Sequence, residues 1–483
     1  MSFGALTWLW LFPLLGGILV FFGGKTARTA KLAAAIISLG PLVLSLAVAF
    51  FPGEGAGPLS EVGPAWGYGM RYALMADGLS LTLCWLTAFL TVVSLLASWN
   101  QEFPAGYWAC FLFLEAALMG VFLARDLFLF FIFWEAVLVP MFFIIGLWGS
   151  EGRRHAAMKF SLFTFFGSIF LLLGILGLVT QHHQLTGVWT WDMAGVKGPP
   201  TASSAGLIFG AMVLGFGVKI PLVPLHSWLP DAHTEAPAAG SVMLAGVLLK
   251  MGVYGFLRVL LPAFPELSWA LLPWLGLIAA INVVYGAFCA MVQSDLKRLI
   301  AYSSVAHLGF CLLGVFSRTP EGLAGGSLQM INHGLSTGAL FLLVGFLYER
   351  SHRRGLADFG DLASQTPWLS FFFGFSILSS IGLPGLNGFV GEFMSLAGLS
   401  RVFPALAIAG VIGVTLSAVY ALPAFQTVFW GCRGPNSASA GITDLDARER
   451  AILWVLCLLM LAIGLYPRPW LRAMADSTRG LWM

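Results

Sequence analysis

Apolar runs of about 20 residues, the length that crosses a bilayer's hydrocarbon, recur along the whole chain. Charges, glycines and prolines collect in the short stretches between them. Hydrocarbon offers no water to satisfy backbone N–H and C=O groups, so each run must close its hydrogen bonds within itself, as a helix. Charged residues make up only 10% of the chain and mean hydropathy is +0.88. Soluble domains carry about 25% charged residues. The runs predict an all-α polytopic membrane protein with about fourteen transmembrane helices. They cover 4–23, 29–51, 78–99, 107–124, 127–147, 157–180, 205–229, 237–261, 268–291, 297–316, 323–348, 367–399, 404–430 and 450–467. The spans 205–229 and 367–399 are interrupted helices.

Composition also excludes several functions. A net charge of +3 is too small to argue for nucleic acid. The six cysteines (Cys84, Cys110, Cys289, Cys311, Cys432, Cys457) are scattered and form no C-x-x-C, which argues against iron–sulfur and structural zinc sites. No G-x-G-x-x-G is present, and Gly24-Lys25-Thr26 lacks the earlier glycine that a P-loop needs. Without a redox centre or nucleotide site, the energy for any work must come from a gradient or a partner chain.

The first apolar run, Phe3 to Phe22, is a full span rather than a cleavable signal, and Lys25, Arg28 and Lys31 follow it. That order places the N-terminus outside. With this orientation the inner side carries 14 Lys and Arg, among them Arg153, Arg154, Lys159, Lys297, Arg298, Arg350, Arg353, Arg354 and Arg433, and the outer side 9. The stretches Pro52 to Asp77 and Gln181 to Ser204 read as outer loops, the latter with solvated His182 and His183, and Gly431 to Arg450 as an inner loop.

Five ionisable residues interrupt this apolar background: Glu115, Glu135, Lys219, Lys250 and Glu392. Each costs roughly 2.5–3.5 kcal/mol at the centre of a span, so together they cost on the order of 12–17 kcal/mol if unpaired. That is comparable to a whole domain's stability, about 5–15 kcal/mol. Such residues mark ion pathways. The stretch Met212 to Met251 concentrates them. Pro221 has no N–H, so the helix ending at Lys219 breaks and the Gly217 carbonyl loses its helical partner. A broken helix with a charge at the break is an arrangement transporters use for ion sites. Lys250 lies instead in a continuous apolar helical run, Ser241 to Leu257.

A second interruption runs Ile381-Gly-Leu-Pro-Gly-Leu-Asn-Gly-Phe-Val-Gly-Glu392. Glu135 precedes Lys219 by 84 residues and His307 precedes Glu392 by 85, which suggests an internal repeat. Paired interrupted helices in two halves point to a transporter's site. Repeats of five helices each would have to be inverted, the number being odd. His307 and His333 stand in apolar sequence, as core histidines or as proton shuttles with a near-neutral pKa. Glu135 and Lys219 form either a charge-switching pair or a structural one. Glu115 reads equally as a partner of the axis or as a residue facing a neighbouring chain. His226 and His233 either feed an entry path or cap and anchor the turn. Asp295, Lys297 and Arg298 read as a solvated helix start.

Four stretches carry a family resemblance: FWEAVLVPMF, KIPLVPLHSWLPDAHTEAPAAGSVMLAGVLLKMGVYG, QSDLKRLIAYSSVAHLGF and GLPGLNGFVGEF. Over roughly residues 100 to 430 the chain resembles the antiporter-like membrane subunits of proton-pumping NADH–quinone oxidoreductase (respiratory complex I), which are related to Mrp-type sodium/proton antiporter subunits. It is most similar to the subunit M (chain 4) branch. An acid stands at 392, where the L and N branches carry lysine, and the long lateral helix of the L branch is lacking. The resemblance implies two inverted five-helix repeats. Three N-terminal helices occupy 1–100, the first repeat 101–265, the second 266–432, and an inner loop and last helix 433–483. It implies Glu135 and Lys219 as a coupled pair, Lys250 as central relay, His307 and His333 as a bridge, and Glu392 as terminal proton site. It implies no cofactor in this chain, redox chemistry in partner chains, L-type and N-type neighbours, no nucleic acid, and a bacterial inner membrane. The rival expectation is an Mrp-type cation/proton antiporter subunit, with lysine at 392. An inert membrane scaffold is the weaker third.

Overall fold

A computed structural model describes residues 4–50, 58–198, 203–432, 439 and 441–479. The helices are α1 (Ala5–Gly23), α2 (Ala27–Phe50), α3 (Gly78–Ala97), α4 (Ala105–Leu123), α5 (Leu127–Trp148), α6 (Arg153–Thr186), α7 (Ser203–Lys219), α8 (Trp228–Glu235) and α9 (Ala238–Ala263). They continue with α10 (Pro265–Met291), α11 (Leu296–Phe316), α12 (Pro320–Ser351), α13 (Pro367–Ser380), α14 (Asn387–Ser400), α15 (Pro404–Phe425), α16 (Ala447–Leu465) and α17 (Arg468–Arg479). Among the described residues eleven helices are long and apolar enough to cross a membrane. The pair α16–α17, bent by 76°, makes a twelfth if taken as one span. Helices α7 and α13 are shorter, and each ends at an expected interruption. The expected fourteen is reached only if α7 with α8, and α13 with α14, each cross as one broken span.

Helices α3, α9, α11 and α12 form the centre: 100% of the apolar window of α12 is buried, against 22% for α2. The outer helices turn residues such as Ile36, Leu162 and Phe165 outward, as lipid-facing surfaces do. Small residues let the central backbones touch. A Cβ on Gly326 of α12 would stand 2.5 Å from the Cys311 carbonyl oxygen of α11, and one on Gly325 would stand 2.5 Å from the Ser395 nitrogen of α14. Backbone contact of this kind favours dispersion and interhelical hydrogen bonding where no hydrophobic drive exists between helices.

Ion pairs sort into two ends, as the charge count does. Lys159 (2.6 Å) and Arg298 (3.4 Å) share Asp231, while Arg354 joins Asp295 (2.6 Å) and Glu235 (3.5 Å) at the inner end. Arg125–Asp192 (2.6 Å), Arg401–Glu321 (2.9 Å) and Arg258–Asp77 lie at the other. Arg433 lies outside the described residues.

Four expectations are corrected. The outer stretch read as a loop holds an antiparallel hairpin, β1 (Leu59–Gly67) and β2 (Met70–Ala76), closed by Tyr68 and Gly69, both at positive φ, as tight hairpin turns require. Its Glu61 accepts from the N–H groups of Leu6 (2.7 Å) and Thr7 (3.0 Å) and so caps the start of α1. The C-terminal tail contains α17, which docks on α3, with Trp470 and Trp85 at 4.9 Å. His182 and His183 are only partly exposed, and His183 stacks on Trp189 at 4.0 Å. Lys297 is not solvated: it is 4% exposed and its Nζ donates to the Ala236 carbonyl at 2.7 Å. As expected, the Gly217 carbonyl has no helical donor at Pro221, and it accepts instead from the Leu222 N–H at 2.9 Å.

That first break is held from α10. Asn282, fully buried, accepts from the Val223 N–H (2.7 Å) and donates to the Pro221 carbonyl (3.3 Å). Asn282→Leu would strand a backbone donor and an acceptor, a loss of about 1–3 kcal/mol for each buried group. We expect Asn282→Leu to lower the thermal stability and the yield of purified protein while Asn282→Gln loses less. Equal stability of Asn282→Leu and the native chain in detergent would show that the break closes without it.

Candidate functional site

Lys250 sits in the middle of α9, fully buried. The helix is not regular there, contrary to the continuous run expected, because Leu244–Leu248 forms a π-turn. The Leu249 N–H reaches back to the Leu244 carbonyl (3.3 Å), one residue further than an α-helix allows. The Ala245 carbonyl is thereby left to the Lys250 ammonium, which donates to it. The Lys250 Nζ is also 2.7 Å from His333 Nδ1 on α12. An ammonium has only donors, so His333 Nδ1 accepts and the neutral ring carries its proton on Nε2. That Nε2 has no partner among the described residues.

The His333 and His307 rings lie 5.7 Å apart, centroid to centroid. His307, on α11, is 3.1 Å from Glu392 Oε1 through Nδ1 and 3.1 Å from the Ser380 hydroxyl through Nε2. The same Glu392 oxygen accepts from Gln329 Nε2 at 3.1 Å. Glu392 is 3% exposed. The second interruption positions it. Asn332 Nδ2 donates to the Asn387 carbonyl (2.7 Å), Asn387 Nδ2 donates back to the Asn332 carbonyl (3.3 Å), and the Ser379 hydroxyl donates to Asn387 Oδ1 (2.5 Å). A residue placed here without amide groups would leave these carbonyls bare. At the turn, Gly382 has φ +77°, and a Cβ there would stand 2.9 Å from Glu392 Oε2.

Four expected residues, Lys250, His333, His307 and Glu392, are thus brought into one line across α9, α12, α11 and α14. The expected pair at its other end is not closed. Lys219 is 2% exposed, and its Nζ stands 5.3 Å from the Trp134 ring centroid. Glu135 is half-buried and makes no ion pair with Lys219 among the described residues. The aromatic face of Trp134, tethered by its Nε1 to the Ser168 hydroxyl (3.1 Å), takes the lysine instead. Glycine brings α7 and α9 together: a Cβ on Gly252 would lie 2.9 Å from the Phe216 carbonyl oxygen. Glu115 is fully buried on α4, and neither carboxyl oxygen has a partner among the described residues. His226 is 7% exposed, with its ring 5.2 Å from that of Tyr285. Asn282, Gln329, Asn332, Asn387 and Ser380 were missed as site residues. Amides inside apolar helices are a readable signal for interhelical hydrogen bonds.

Residues 124–417 match the family model described as NADH:quinone oxidoreductase/Mrp antiporter, TM. The chain belongs to this family. Similar family members include NADH-quinone oxidoreductase subunit M of Pseudomonas aeruginosa, 40% identical over 99% of this chain and 97% of that one. The subunit of the same name from Escherichia coli is 39% identical over 96% of this chain and 95% of that one. Among solved structures, a chain of respiratory complex I from Thermus thermophilus with bound NADH aligns at TM-score 0.87 with 32% identity, covering 99% of this chain and 100% of that one. A chain of the Mrp complex from Dietzia sp. aligns at TM-score 0.87 over 100% of this chain and 98% of that one, with 21% identity, a likeness of fold.

In this family member the Lys250 contacts separate a fixed charge from a proton donor. Lys250→Arg keeps the charge but can hardly release a proton. Proton uptake by vesicles is expected to fall nearly as far in Lys250→Arg as in Lys250→Ala. Full uptake with arginine would mean that a permanent cation suffices.

Proposed function

We propose that the chain is the proton-translocating membrane subunit of a bacterial NADH–quinone oxidoreductase, seated in the inner membrane between L-type and N-type antiporter-like neighbours. The chain holds no redox centre or cofactor of its own in this reading, and partner chains oxidise NADH and reduce quinone. The observation that carries the proposal is the succession of neighbours from Lys250 to His333 (2.7 Å), across 5.7 Å between ring centroids to His307, and on to Glu392 (3.1 Å). A proton leaving the Lys250 ammonium passes to His333, crosses to His307 by ring rotation or one bridging water, and reaches the Glu392 carboxylate. Histidine suits the middle positions because it gains and loses protons near neutral pH and has two ring nitrogens to do it with. Two inverted five-helix repeats, meeting between α9 and α10, fit the two interruptions and the central position of the relay.

Glu135 and Lys219 are the coupling elements. They interact electrostatically without forming an ion pair among the described residues, so an electrostatic change from a neighbouring subunit acts by drawing Lys219 from Trp134 onto Glu135, or by releasing it. Less positive charge near Lys250 then favours its protonation, and more favours release. Glu135→Gln and Lys219→Ala are each expected to cut proton uptake sharply while assembled complex persists. Normal proton-to-electron ratios in either would refute the coupling.

The rival antiporter reading expects lysine at 392, and this chain has glutamate. Substitution tests what the position needs. If Glu392 carries protons, Glu392→Lys retains substantial quinone-linked uptake while Glu392→Ala and Glu392→Gln lose most of it, compared at matched amounts of assembled complex. Wild-type uptake in Glu392→Gln with a dead Glu392→Lys would make the residue a charge compensator. Co-purification of iron–sulfur and flavin chains separates the oxidoreductase reading from the antiporter one.

A further inference from the structure

We infer that Ser380 is a positioning residue of the relay: its hydroxyl holds the His307 ring aimed at Glu392 both before and after the proton passes. This rests on the proton-translocating reading above. Ser380 is the last residue of α13, at the second interruption, and it is buried. Its neighbour Ser379 fixes that end of α13 by donating to Asn387 Oδ1 at the start of α14.

The directions of the hydrogen bonds follow one from another, beginning at a group that only accepts. The Asn387 carbonyl takes a hydrogen from Asn332 Nδ2 at 2.7 Å, which orients that amide. The same Nδ2 stands 3.3 Å from Gln329 Oε1, and this oxygen accepts. Gln329 thereby turns its Nε2 to Glu392 Oε1 and donates to it at 3.1 Å. An ionised carboxylate only accepts, so His307 Nδ1, 3.1 Å from the same oxygen, carries a hydrogen and donates too. A neutral imidazole has one N–H. Nε2 is therefore a bare acceptor, and the Ser380 hydroxyl, 3.1 Å away, donates to it. Hydrogens thus point toward Glu392 Oε1 from both sides. The rings of His333 (5.7 Å) and Phe310 (6.4 Å) pack beside His307 without bonding either nitrogen.

The transfer reverses these roles. The incoming proton binds Nε2, the Nδ1–H bond breaks, and an O–H bond forms on Glu392 Oε1. Only N–H and O–H bonds form and break, and no electrons move. Afterwards Nε2 is a donor and Nδ1 an acceptor. A backbone carbonyl at the position of the Ser380 hydroxyl could serve only the second state, and an amide N–H only the first. A hydroxyl both donates and accepts, so it keeps Nε2 partnered in each. Without it the ring is held at Nδ1 alone and is free to turn off the line to Glu392, and proton transfer needs hydrogen-bond reach.

Ser380→Ala removes the hydroxyl and Ser380→Thr keeps one. In assembled complex at matched content, Ser380→Ala should lower quinone-linked proton uptake several-fold. Its uptake should also slow more in deuterium oxide than native uptake does, because the misaligned transfer has become the slow step. Ser380→Thr should bring both back to native. Native uptake in Ser380→Ala overturns the proposal. So does a loss in Ser380→Ala with a native isotope effect, which is what a packing defect gives. A Ser380→Thr complex that assembles and pumps no better than Ser380→Ala overturns it as well. Where Ser380→Thr does not assemble, the isotope effect in Ser380→Ala decides alone. Native uptake in Glu392→Ala overturns the relay reading as a whole. Lost uptake in Glu392→Ala beside native uptake in Ser380→Ala removes Ser380 alone, so the two failures are told apart.

Discussion

A polar group inside this bundle has only the protein to bind, because hydrocarbon outside offers nothing in return. That shortage dictates where the interruptions fall and what stands beside them. The first break is closed by Asn282 of α10, a helix outside the 101–265 segment that contains the break. The second is closed by the reciprocal amides of Asn332 and Asn387. Lys250 likewise depends on a residue from the other half, His333. Residues after 265 therefore complete the polar requirements of the 101–265 segment and also close their own break. Separating them would strand backbone groups as well as a charge.

The same shortage makes geometry decisive for proton movement. In water a lysine and a histidine several ångströms apart exchange protons through solvent. Here they need contact or a held water, and the π-turn in α9 provides contact. By displacing one hydrogen bond it frees the Ala245 carbonyl and gives the Lys250 ammonium two acceptors, one fixed and one titratable. A regular α-helix would leave Ala245 bonded to Leu249 and the ammonium with His333 alone. The π-turn thus holds Lys250 in place whether or not His333 is free to accept.

What could be read before folding follows from contrast. Lys250, His307, His333 and Glu392 are legible because a single ionisable residue stands out in an apolar run, and the two interruptions are legible because proline removes a donor. Lys297 is not, since Asp295 and Arg298 beside it look like an ordinary solvated helix start. Its burial depends on Arg354 taking Asp295 (2.6 Å) and on α9 covering it, contacts remote in sequence. The π-turn has no residue signature in LAGVL, because it arises from how α9 packs on α12. Glu135 and Lys219 are legible as opposite charges in apolar sequence, but whether they touch is not. The ring of Trp134 competes, and Glu135 keeps partial exposure that softens its own need for a partner.

Direction is the remaining requirement, and the two sides of Lys250 differ in the way a one-way relay needs. Toward the outer end, the hydroxyl groups beside α9 are paired, and Arg258 Nε lacks a partner among the described residues. Tyr254 donates to the Phe122 carbonyl at 2.8 Å and meets the Ser80 hydroxyl at 3.0 Å. Arg258 pairs with Asp77, and Ser477 of α17 lies across both, accepting from the Leu79 N–H at 3.0 Å. Toward the inner end, His233 and Thr337 carry polar atoms without a partner among the described residues. Sideways, Lys250 touches His333, whose ring lies 5.7 Å from that of His307. Asp77 beside the hairpin and Ser477 of the C-terminal helix thus tie the outer end of α9 to the start of α3, leaving His333 as the titratable group in contact with Lys250.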